Sequence, residues 1–165
     1  MYNYNIGITG LAGSGKDTAA DLVMEITGRH IKKSFAEKLK NICVELGWDG
    51  FKDEKGRKLL QNRGMTLREY DADGWVNLLH KTLHPSQFYV IPDVRFVNEI
   101  NYIQNNGGKV IKITRPSLTL TETHNHISEA GQKDLVADYE IVNDGSIEEL
   151  KARIKVALDT FETLK

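Results

Sequence analysis

The glycine-rich segment of residues 10–18, which reads GLAGSGKDT, constrains the fold of this chain more than any other stretch. Apolar Ile6 and Ile8 precede it and a helical pattern follows it, which predicts a turn from a β-strand into an α-helix. The glycines allow backbone conformations that a side chain would forbid, so successive N–H groups can turn towards a phosphate chain. The positive end of the helix adds to this attraction, and Lys16 is placed to reach the terminal phosphates of a nucleotide.

The segment departs from the general phosphate-loop pattern in one place. Asp17 stands where a hydroxyl residue is expected after the lysine, and Thr18 follows one place later. This shifted form resembles the loop of nucleoside monophosphate kinases. The alternative is a glycine-rich turn that binds no ligand, but the lysine and the flanking strand and helix favour nucleotide binding. The ATP contacts predicted within the segment are Gly10, Ala12, Gly13, Ser14, Gly15, Lys16, Asp17 and Thr18.

Length and composition bound the class of protein. With 165 residues, of which 40% are hydrophobic, the chain can bury one core, so we expect a single domain over residues 1–165 with insertions. The 22 basic and 23 acidic residues give a formal charge of −1, which leaves no bulk field to attract polymeric nucleic acid or an anionic membrane. The single cysteine, Cys43, excludes an internal disulfide and fits a reducing compartment. The sequence shows no leader and no bilayer-spanning run, so we expect a cytoplasmic protein, in the host cytoplasm if it is viral.

Strands and helices alternate along the chain. Helices are predicted over residues 16–28, 36–46, two stretches within 58–83 separated near 71–74, a stretch that ends at 107, and 146–164. Strands are predicted before residue 10 and over residues 31–35, 88–93, 109–114 and 139–143, and residues 48–57 are predicted as a loop. Parallel strands joined by such long connections need helical crossovers, which favours an α/β fold of three layers with a parallel sheet of about five strands.

The strand of residues 88–93 is predicted to deliver a carboxylate to the site. It reads FYVIPD, an apolar run that is typical of a buried parallel strand and ends in Asp93 at the carboxyl edge of the sheet, where the glycine-rich segment also lies. Asp93 resembles a Walker B acid and is predicted to hold magnesium directly or through water, with Asp17 and Thr18 as further candidates. Pro92 lacks an N–H, so the strand must end or become irregular there.

The faces of two later helices follow from their spacing. After Asp93, helical spacing places Arg95, Asn98 and Glu99 on one side of a helix, with Phe96, Ile100 and Ile103 towards the core. Ser146 and Glu149 form a capping box at the start of the last helix. The buried stripe predicted for that last helix comprises Ile147, Leu150, Ile154, Ala157, Leu158, Phe161 and Leu164.

Two excursions interrupt the alternation. Residues 35–87 have the size of an acceptor-binding insertion and carry Arg63, Arg68 and Trp75; the alternatives are a solvated helix face for the arginines and a core position for the tryptophan. Residues 116–133 fit a lid over the phosphates. The lid contains His124 and His126 without a third metal ligand at a recognisable spacing, so a hydrogen-bonding role for His126, Ser128 and Glu129 is favoured over a zinc site.

These segments together resemble phage-type deoxynucleoside monophosphate kinases over nearly the whole chain. The match rests on GLAGSGKDTAA from residue 10, the 60–76 region, DVRFVNE from residue 93, Arg115-Pro116, HISE from residue 126, and NDG from residue 143. The resemblance implies a P-loop kinase that transfers the terminal phosphate of ATP to a deoxynucleoside 5′-monophosphate with Mg²⁺. It implies small-molecule nucleotides as partners, and it leaves open whether the chain is a homodimer.

Roles for the site residues follow from that resemblance. Lys16, Asp93, Arg95 and Arg115 are the expected catalytic residues, with Arg115 reaching the transferring group. Arg115, Asn143 and Gly145 are further expected ATP contacts, the last two by a backbone loop beside the base. The expected acceptor contacts are Arg63, Arg68, Trp75, Asp93, Arg95 and Glu99.

Two alternatives remain open at this point. Similar loops and DVR segments serve kinases of other phosphorylated acceptors, such as phosphomevalonate or dephospho-coenzyme A. A nucleotide-dependent switch is the alternative from a different class. The chain has no Asn-Lys-x-Asp motif for reading guanine, and its arginines outside the loop suit two phosphorylated ligands better than one.

Overall fold

A computed structural model describes residues 2–118, 131 and 135–163 of the chain. The predicted lid falls almost entirely outside these residues, as do His124, His126, Ser128, Glu129 and Leu164. The described chain divides into two units. Unit 1 comprises the described residues of Met1–Lys33 and His84–Lys165, and unit 2 comprises Ser34–Leu83. The prediction of a single domain over residues 1–165 stays a prediction.

The described strands and helices occur in the order that the sequence predicts. The strands are β1 (Ile6–Thr9), β2 (His30–Lys32), β3 (Phe88–Val94), β4 (Lys109–Thr114) and β5 (Tyr139–Val142). The helices are α1 (Lys16–Thr27), α2 (Glu37–Glu45), α3 (Glu54–Tyr70), α4 (Gly74–His80), α5 (Val97–Asn105) and α6 (Ile147–Thr163). The second strand is shorter and earlier than the predicted 31–35.

Unit 1 is built on a parallel sheet of five strands in the order β2-β3-β1-β4-β5. The central strand β1 pairs with β3 on one side and β4 on the other, so that Ile6 lies opposite both Val90 and Lys109. In a parallel sheet all carboxyl ends meet at one edge. The segments that follow β1, β3, β4 and β5 therefore leave the sheet at the same edge.

Helices cover both faces of this sheet, which confirms the three-layer α/β prediction. Ile6 and Ile8 belong to a buried cluster that includes residues of α1 and α6. Gly7 points to the opposite face, where a Cβ atom would collide with the Cδ1 atom of Ile103 in α5, at 2.6 Å. The alternation of side chains along β1 thus provides apolar contacts for both helical layers.

Strand β3 is irregular at Pro92, as its missing N–H predicts. Gly7 is paired with Ile91, whereas Thr9, only two residues further on, is paired with Val94. Three residue steps on β3 therefore match two on β1, and the extra residue falls at Pro92 or Asp93.

Unit 2 consists of α2, α3 and α4 around a small core of Leu39, Cys43 and Trp75. The prediction of a loop over 48–57 is wrong at its end, because α3 already begins at Glu54. Asp53 caps this helix: its Oδ1 atom accepts the N–H of Gly56 at 2.7 Å. Such a cap satisfies an amide that has no partner within the helix.

Two predicted helix faces need correction. Helix α5 begins at Val97, so Arg95 precedes the helix, and Glu99 is buried at 1% exposure instead of sharing an outer side with Arg95. In α6, Ile147 is 60% exposed and lies outside the buried stripe. The rest of the described stripe is confirmed: Leu150, Ile154, Ala157, Leu158 and Phe161 are buried.

Among the residues that the structure describes, no helix is both long enough and apolar enough to cross a membrane.

Candidate active site

The glycine-rich loop joins β1 to α1 with three residues in left-handed or related backbone conformations. Gly10, Gly13 and Gly15 have φ angles of 142°, 84° and 102°. L-residues rarely adopt this region, because the Cβ atom crowds the backbone. At Gly10 there is a second constraint, since a Cβ atom would overlap the backbone oxygen of Ile113 in β4. The loop therefore packs against the end of β4 with no room for a side chain.

Lys16 lies at the first position of α1 and bends back over the loop. Its Nζ atom donates to the carbonyl oxygens of Gly10, at 2.6 Å, and Leu11, at 2.8 Å. An ammonium group can exchange such neutral acceptors for anionic phosphate oxygens, which form stronger, charge-assisted hydrogen bonds. Asp17 and Thr18 are exposed in the first turn of the same helix.

Two buried hydroxyl groups lie at the ends of the loop. Thr9 is the last residue of β1 and is fully buried, and Ser14 is 1% exposed. Within the described part of the chain, neither hydroxyl oxygen has a hydrogen-bond partner. Buried hydroxyls without partners are unusual, because each costs the desolvation of a polar group. They mark this loop as a place where a polar ligand or water completes the structure.

Asp93 lies near the carboxyl end of β3, beside β1. It is half-buried, and the next residue, Val94, is the register partner of Thr9. The prediction that a strand delivers this carboxylate to the edge where the loop begins is therefore met within unit 1. A carboxylate at this edge is suited to a hard cation such as Mg²⁺.

The turn after β3 carries Arg95 and is held by Glu99. The Oε2 atom of Glu99 accepts the backbone N–H groups of Arg95, at 2.7 Å, and Phe96, at 3.2 Å. Since Glu99 is almost fully buried, its carboxylate is engaged in fixing this turn at the start of α5. In the structure this carboxylate supports the turn that carries Arg95, and the acceptor contact predicted for Glu99 stays a prediction.

Arg115 follows β4 on the other side of the loop. It is exposed, and its carbonyl oxygen accepts the N–H of Leu118 at 3.1 Å, which closes a turn. A pocket of about 250 Å³ opens here between the loop and the end of β4. It is lined by Gly10, Leu11, Ser14, Lys112, Ile113, Thr114, Arg115, Pro116 and Leu118.

The segment after β5 reaches the same loop from the far side of β4. The Nδ2 atom of Asn143 donates to the carbonyl oxygen of Ser14 at 2.9 Å. Gly145 precedes the capping box of α6, in which Glu149 accepts the N–H of Ser146 at 2.7 Å and donates its own N–H to the Ser146 hydroxyl at 3.2 Å. The predicted capping box is confirmed.

Sequence reasoning missed Arg153. Its Nη1 atom donates to the carbonyl oxygen of Val142 and, at 2.6 Å, to Oδ1 of Asp144. This guanidinium lowers the pKa of the Asp144 carboxyl group below its usual value. The only signal in the sequence was helical register, because Arg153 comes two turns into α6 from the NDG segment.

The predicted acceptor residues Arg63, Arg68 and Trp75 all lie in unit 2. Arg63 is exposed on α3, and the Nη1 atom of Arg68 donates to the carbonyl oxygen of Gly64 at 3.3 Å. Trp75 is 4% exposed, and its indole N–H donates to the same oxygen at 2.9 Å. The structure thus uses Trp75 to join α4 to α3, which is the core alternative for this residue.

Comparison with known proteins gives consistent results for family and fold. Residues 57–154 match the family model described as deoxynucleotide monophosphate kinase. A protein of Acanthamoeba polyphaga mimivirus that is provisionally named a deoxynucleotide monophosphate kinase is 33% identical, over 93% of this chain and 95% of that relative. The deoxynucleotide monophosphate kinase of Enterobacteria phage T4 is 36% identical over 62% of this chain, and this match spans 44% of the phage protein.

The fold has a counterpart among solved structures. Shikimate kinase from Aquifex aeolicus superposes with a TM-score of 0.54 at 16% identity, covering 94% of this chain and 96% of that one. This likeness concerns the fold alone, whereas the family model and the mimivirus relative concern the sequence over more than half of the chain. The chain therefore belongs to the deoxynucleotide monophosphate kinase family, whose members are phosphotransferases.

Proposed function

We propose that this chain transfers the γ-phosphate of ATP to a deoxynucleoside 5′-monophosphate. An oxygen of the acceptor's phosphate forms the new bond to phosphorus, the bond to the β,γ-bridging oxygen breaks, and ADP leaves. The observation that carries the proposal is the edge of the sheet in unit 1. There the loop and Lys16 follow β1. On the two flanking strands, Asp93 lies near the end of β3 with Arg95 just after it, and Arg115 follows β4.

The loop and Lys16 hold the donor's phosphates in this proposal. The left-handed glycines let successive amides face one anion, and the ammonium group exchanges the carbonyl oxygens of Gly10 and Leu11 for phosphate oxygens. Phosphoryl transfer depends mainly on alignment and on neutralising charge. A site of amides, one lysine and arginines is sufficient for that chemistry.

A divalent cation fits the oxygen chemistry of this edge. Asp93 supplies a half-buried carboxylate near the carboxyl end of β3, and the buried hydroxyl of Thr9, at the end of the neighbouring strand β1, has no partner in the described residues. We propose that Asp93 holds Mg²⁺, directly or through water, with Asp17 or Thr18 as further oxygen donors. When bound, Mg²⁺ neutralises charge on the donor's phosphates. No group of three or more His, Cys, Asp or Glu side chains that could hold a metal by themselves occurs among the described residues.

Arginines bind the acceptor and the moving group in this proposal. Planar guanidinium groups bind phosphate oxygens in pairs, which suits Arg63, Arg68 and Arg95 to the acceptor's phosphate. Arg115 is exposed beside the loop and meets the charge that develops on the transferring group.

Family membership favours a deoxynucleotide acceptor over the alternatives. A kinase of phosphomevalonate or dephospho-coenzyme A would share the donor site but would belong to another sequence family. A nucleotide-dependent switch needs only one nucleotide site. We propose small nucleotides as the partners and the cytoplasm, where ATP is available, as the compartment. Sedimentation tests whether the chain forms a homodimer.

A coupled ADP-release assay over all deoxy and ribo nucleoside monophosphates tests the reaction and identifies the base. Lys16→Met should abolish turnover, whereas Lys151→Met, which removes only an exposed ion pair with Glu25, should keep it. Transfer to phosphomevalonate or dephospho-coenzyme A in preference to every nucleotide would overturn the proposal. Tight ATP binding without transfer to any nucleotide would favour the switch.

A further inference from the structure

We infer that Asn143 is a positioning residue whose carboxamide holds the phosphate-binding loop in its binding shape. The inference rests on the proposed function, in which the loop binds the phosphates of ATP. Sequence reasoning assigned the Asn143 segment to a backbone contact with the base. The side chain has a different partner: its Nδ2 atom lies 2.9 Å from the carbonyl oxygen of Ser14, which is 129 positions away in the sequence.

The chemistry of this contact sets its direction. A carbonyl oxygen only accepts hydrogen bonds, so the donor must be the Asn143 amide nitrogen. The Ser14–Gly15 peptide is planar and trans, so its N–H points opposite to its C=O. A carbonyl held towards Asn143 therefore turns the Gly15 N–H away from Asn143 and, in the proposed function, towards the donor's phosphates.

The absence of a side chain at Gly15 makes room for the hydrogen bond between Asn143 and Ser14. The Gly15 φ angle of 102° favours glycine, and a Cβ atom there would lie 2.5 Å from Nδ2 of Asn143. A side chain at this position would therefore push the carboxamide away from Ser14 as well as strain the backbone. The contact thus accounts for a glycine immediately before Lys16.

The backbone of Asn143 is itself fixed from two directions. Its N–H donates to the carbonyl oxygen of Thr114 at 2.7 Å, which ties it to the end of β4. On the other side, Arg153 of α6 donates to both neighbours of Asn143, the carbonyl oxygen of Val142 and the carboxylate of Asp144. The carboxamide is therefore presented to the loop by a prearranged segment, which reduces the entropy lost in ordering it.

Measured dissociation constants of ATP and of inorganic tripolyphosphate, each with Mg²⁺, distinguish the two roles of Asn143. Tripolyphosphate has no base, so its binding depends on the loop and not on a base contact. Asn143→Ala should raise both dissociation constants by the same factor, about three- to tenfold, which is the usual contribution of one hydrogen bond. The matched control Glu140→Gln changes an exposed side chain of β5 and should alter neither constant.

The isosteric variant Asn143→Asp distinguishes the hydrogen bond from packing. At pH 8 a carboxylate would face the Ser14 carbonyl oxygen, so binding should be weaker than in Asn143→Ala. Relative to the wild type at each pH, binding by this variant should recover as the pH falls and the introduced carboxyl group becomes protonated, because it can then donate.

Two results would overturn the inference. One is a loss of ATP binding with tripolyphosphate binding unchanged, which indicates a base contact. The other is a lowered melting temperature with both dissociation constants unchanged, which indicates packing alone. A wild-type chain that binds tripolyphosphate but transfers no phosphate would overturn the proposed function and still test Asn143 through binding.

Discussion

The buried carboxylate of Glu99 accepts the backbone N–H of Arg95 at 2.7 Å, so an acid beneath the surface shapes the turn that carries Arg95, for which we propose a contact with the acceptor's phosphate. The same oxygen accepts the N–H of Phe96, and the two bonds join the end of β3 to the start of α5. An arginine placed in this way presents its guanidinium from a fixed backbone, which is the arrangement expected of a phosphate-binding group.

Substitution of Glu99 should weaken binding of the deoxynucleotide, because the turn that carries Arg95 loses its support. Glu99→Ala leaves two backbone N–H groups without their acceptor, which should cost about 1–3 kcal/mol of stability and raise the KM for the deoxynucleotide more than the KM for ATP. Glu99→Gln keeps an acceptor oxygen and should have a smaller effect on both. Steady-state kinetics with each substrate varied in turn measure the two effects, and a rise confined to the KM for ATP would contradict this role.

Gly10→Ala should abolish ATP binding. Its Cβ atom would overlap the backbone oxygen of Ile113, so the loop would have to leave the end of β4. Gly107→Ala is a matched control, because Gly107 also has a positive φ, 75°, but no atom lies within 4 Å of its Cβ position. The control should lose only about 1 kcal/mol of stability from backbone strain. Calorimetric titration with ATP checks the pair, and equal binding by both variants would refute the steric argument.

Arg115→Ala should lower kcat by about 100-fold or more while changing the KM for ATP much less. The reason is that the charge which Arg115 is proposed to meet develops during transfer and is weaker in the bound substrate. Arg115→Lys keeps the positive charge but loses the planar guanidinium group, so its kcat should lie between that of the wild type and that of Arg115→Ala. Unchanged turnover in Arg115→Ala would remove Arg115 from the proposed mechanism.

Trp75→Phe should destabilise the protein without impairing acceptor binding. The substitution removes the hydrogen bond from the indole N–H to the Gly64 carbonyl oxygen, at a cost of about 1 kcal/mol, and leaves a small gap in the core of unit 2. Urea unfolding measures the first effect and the KM for the deoxynucleotide tests the second. A severalfold increase in that KM at unchanged stability would support the acceptor contact predicted from the sequence.

Protonation of His30 should destabilise the fold at mildly acidic pH. Burial lowers the pKa of this side chain below its ordinary value of 6.5, while its hydrogen bond to the Tyr4 carbonyl oxygen, at 2.9 Å, opposes the shift in part. Below about pH 6.5 the unfolded chain takes up a proton that the folded chain resists, so stability is complete above that pH and falls as the pH decreases towards the folded pKa. Urea midpoints at pH 7.5 and 5.5 should differ more for the wild type than for His30→Gln.

The fold was largely predictable because its signals are local. The loop between β1 and α1, the apolar strand that ends near Asp93, and the capping box of Ser146 and Glu149 each depend on residues within a few positions of one another. Each of these patterns is typical of one local backbone geometry, so a short stretch of sequence is enough to predict it. The order of the strands, by contrast, depends on pairing between distant segments, and no local pattern indicates it.

The site was predicted only in part, because several of its contacts do not follow from local sequence patterns. Sequence spacing placed Glu99 beside Arg95 on an outer face, but the chain is not yet helical at Arg95, so the periodicity does not apply there. The contact between Asn143 and Ser14 joins residues 129 positions apart, and Arg153 acts on the backbone of the segment before its own helix. Neither relationship has a sequence signature beyond the helical spacing that places Arg153 two turns into α6.

The irregularity at Pro92 decides which side of the sheet receives a charge. Gly7 and Ile91 are paired, and Val94 also contacts the Gly7 side, its Cγ2 atom lying 3.1 Å from the position of a Gly7 Cβ. In a strand without the extra residue, successive side chains would alternate strictly between the two faces of the sheet. Asp93, not Val94, would then lie on the same face as Ile91, beneath the apolar surface of α5. The single inserted residue exchanges the positions of Asp93 and Val94. Strand β3 therefore places Val94 against α5 and keeps the Asp93 carboxylate out of this apolar contact.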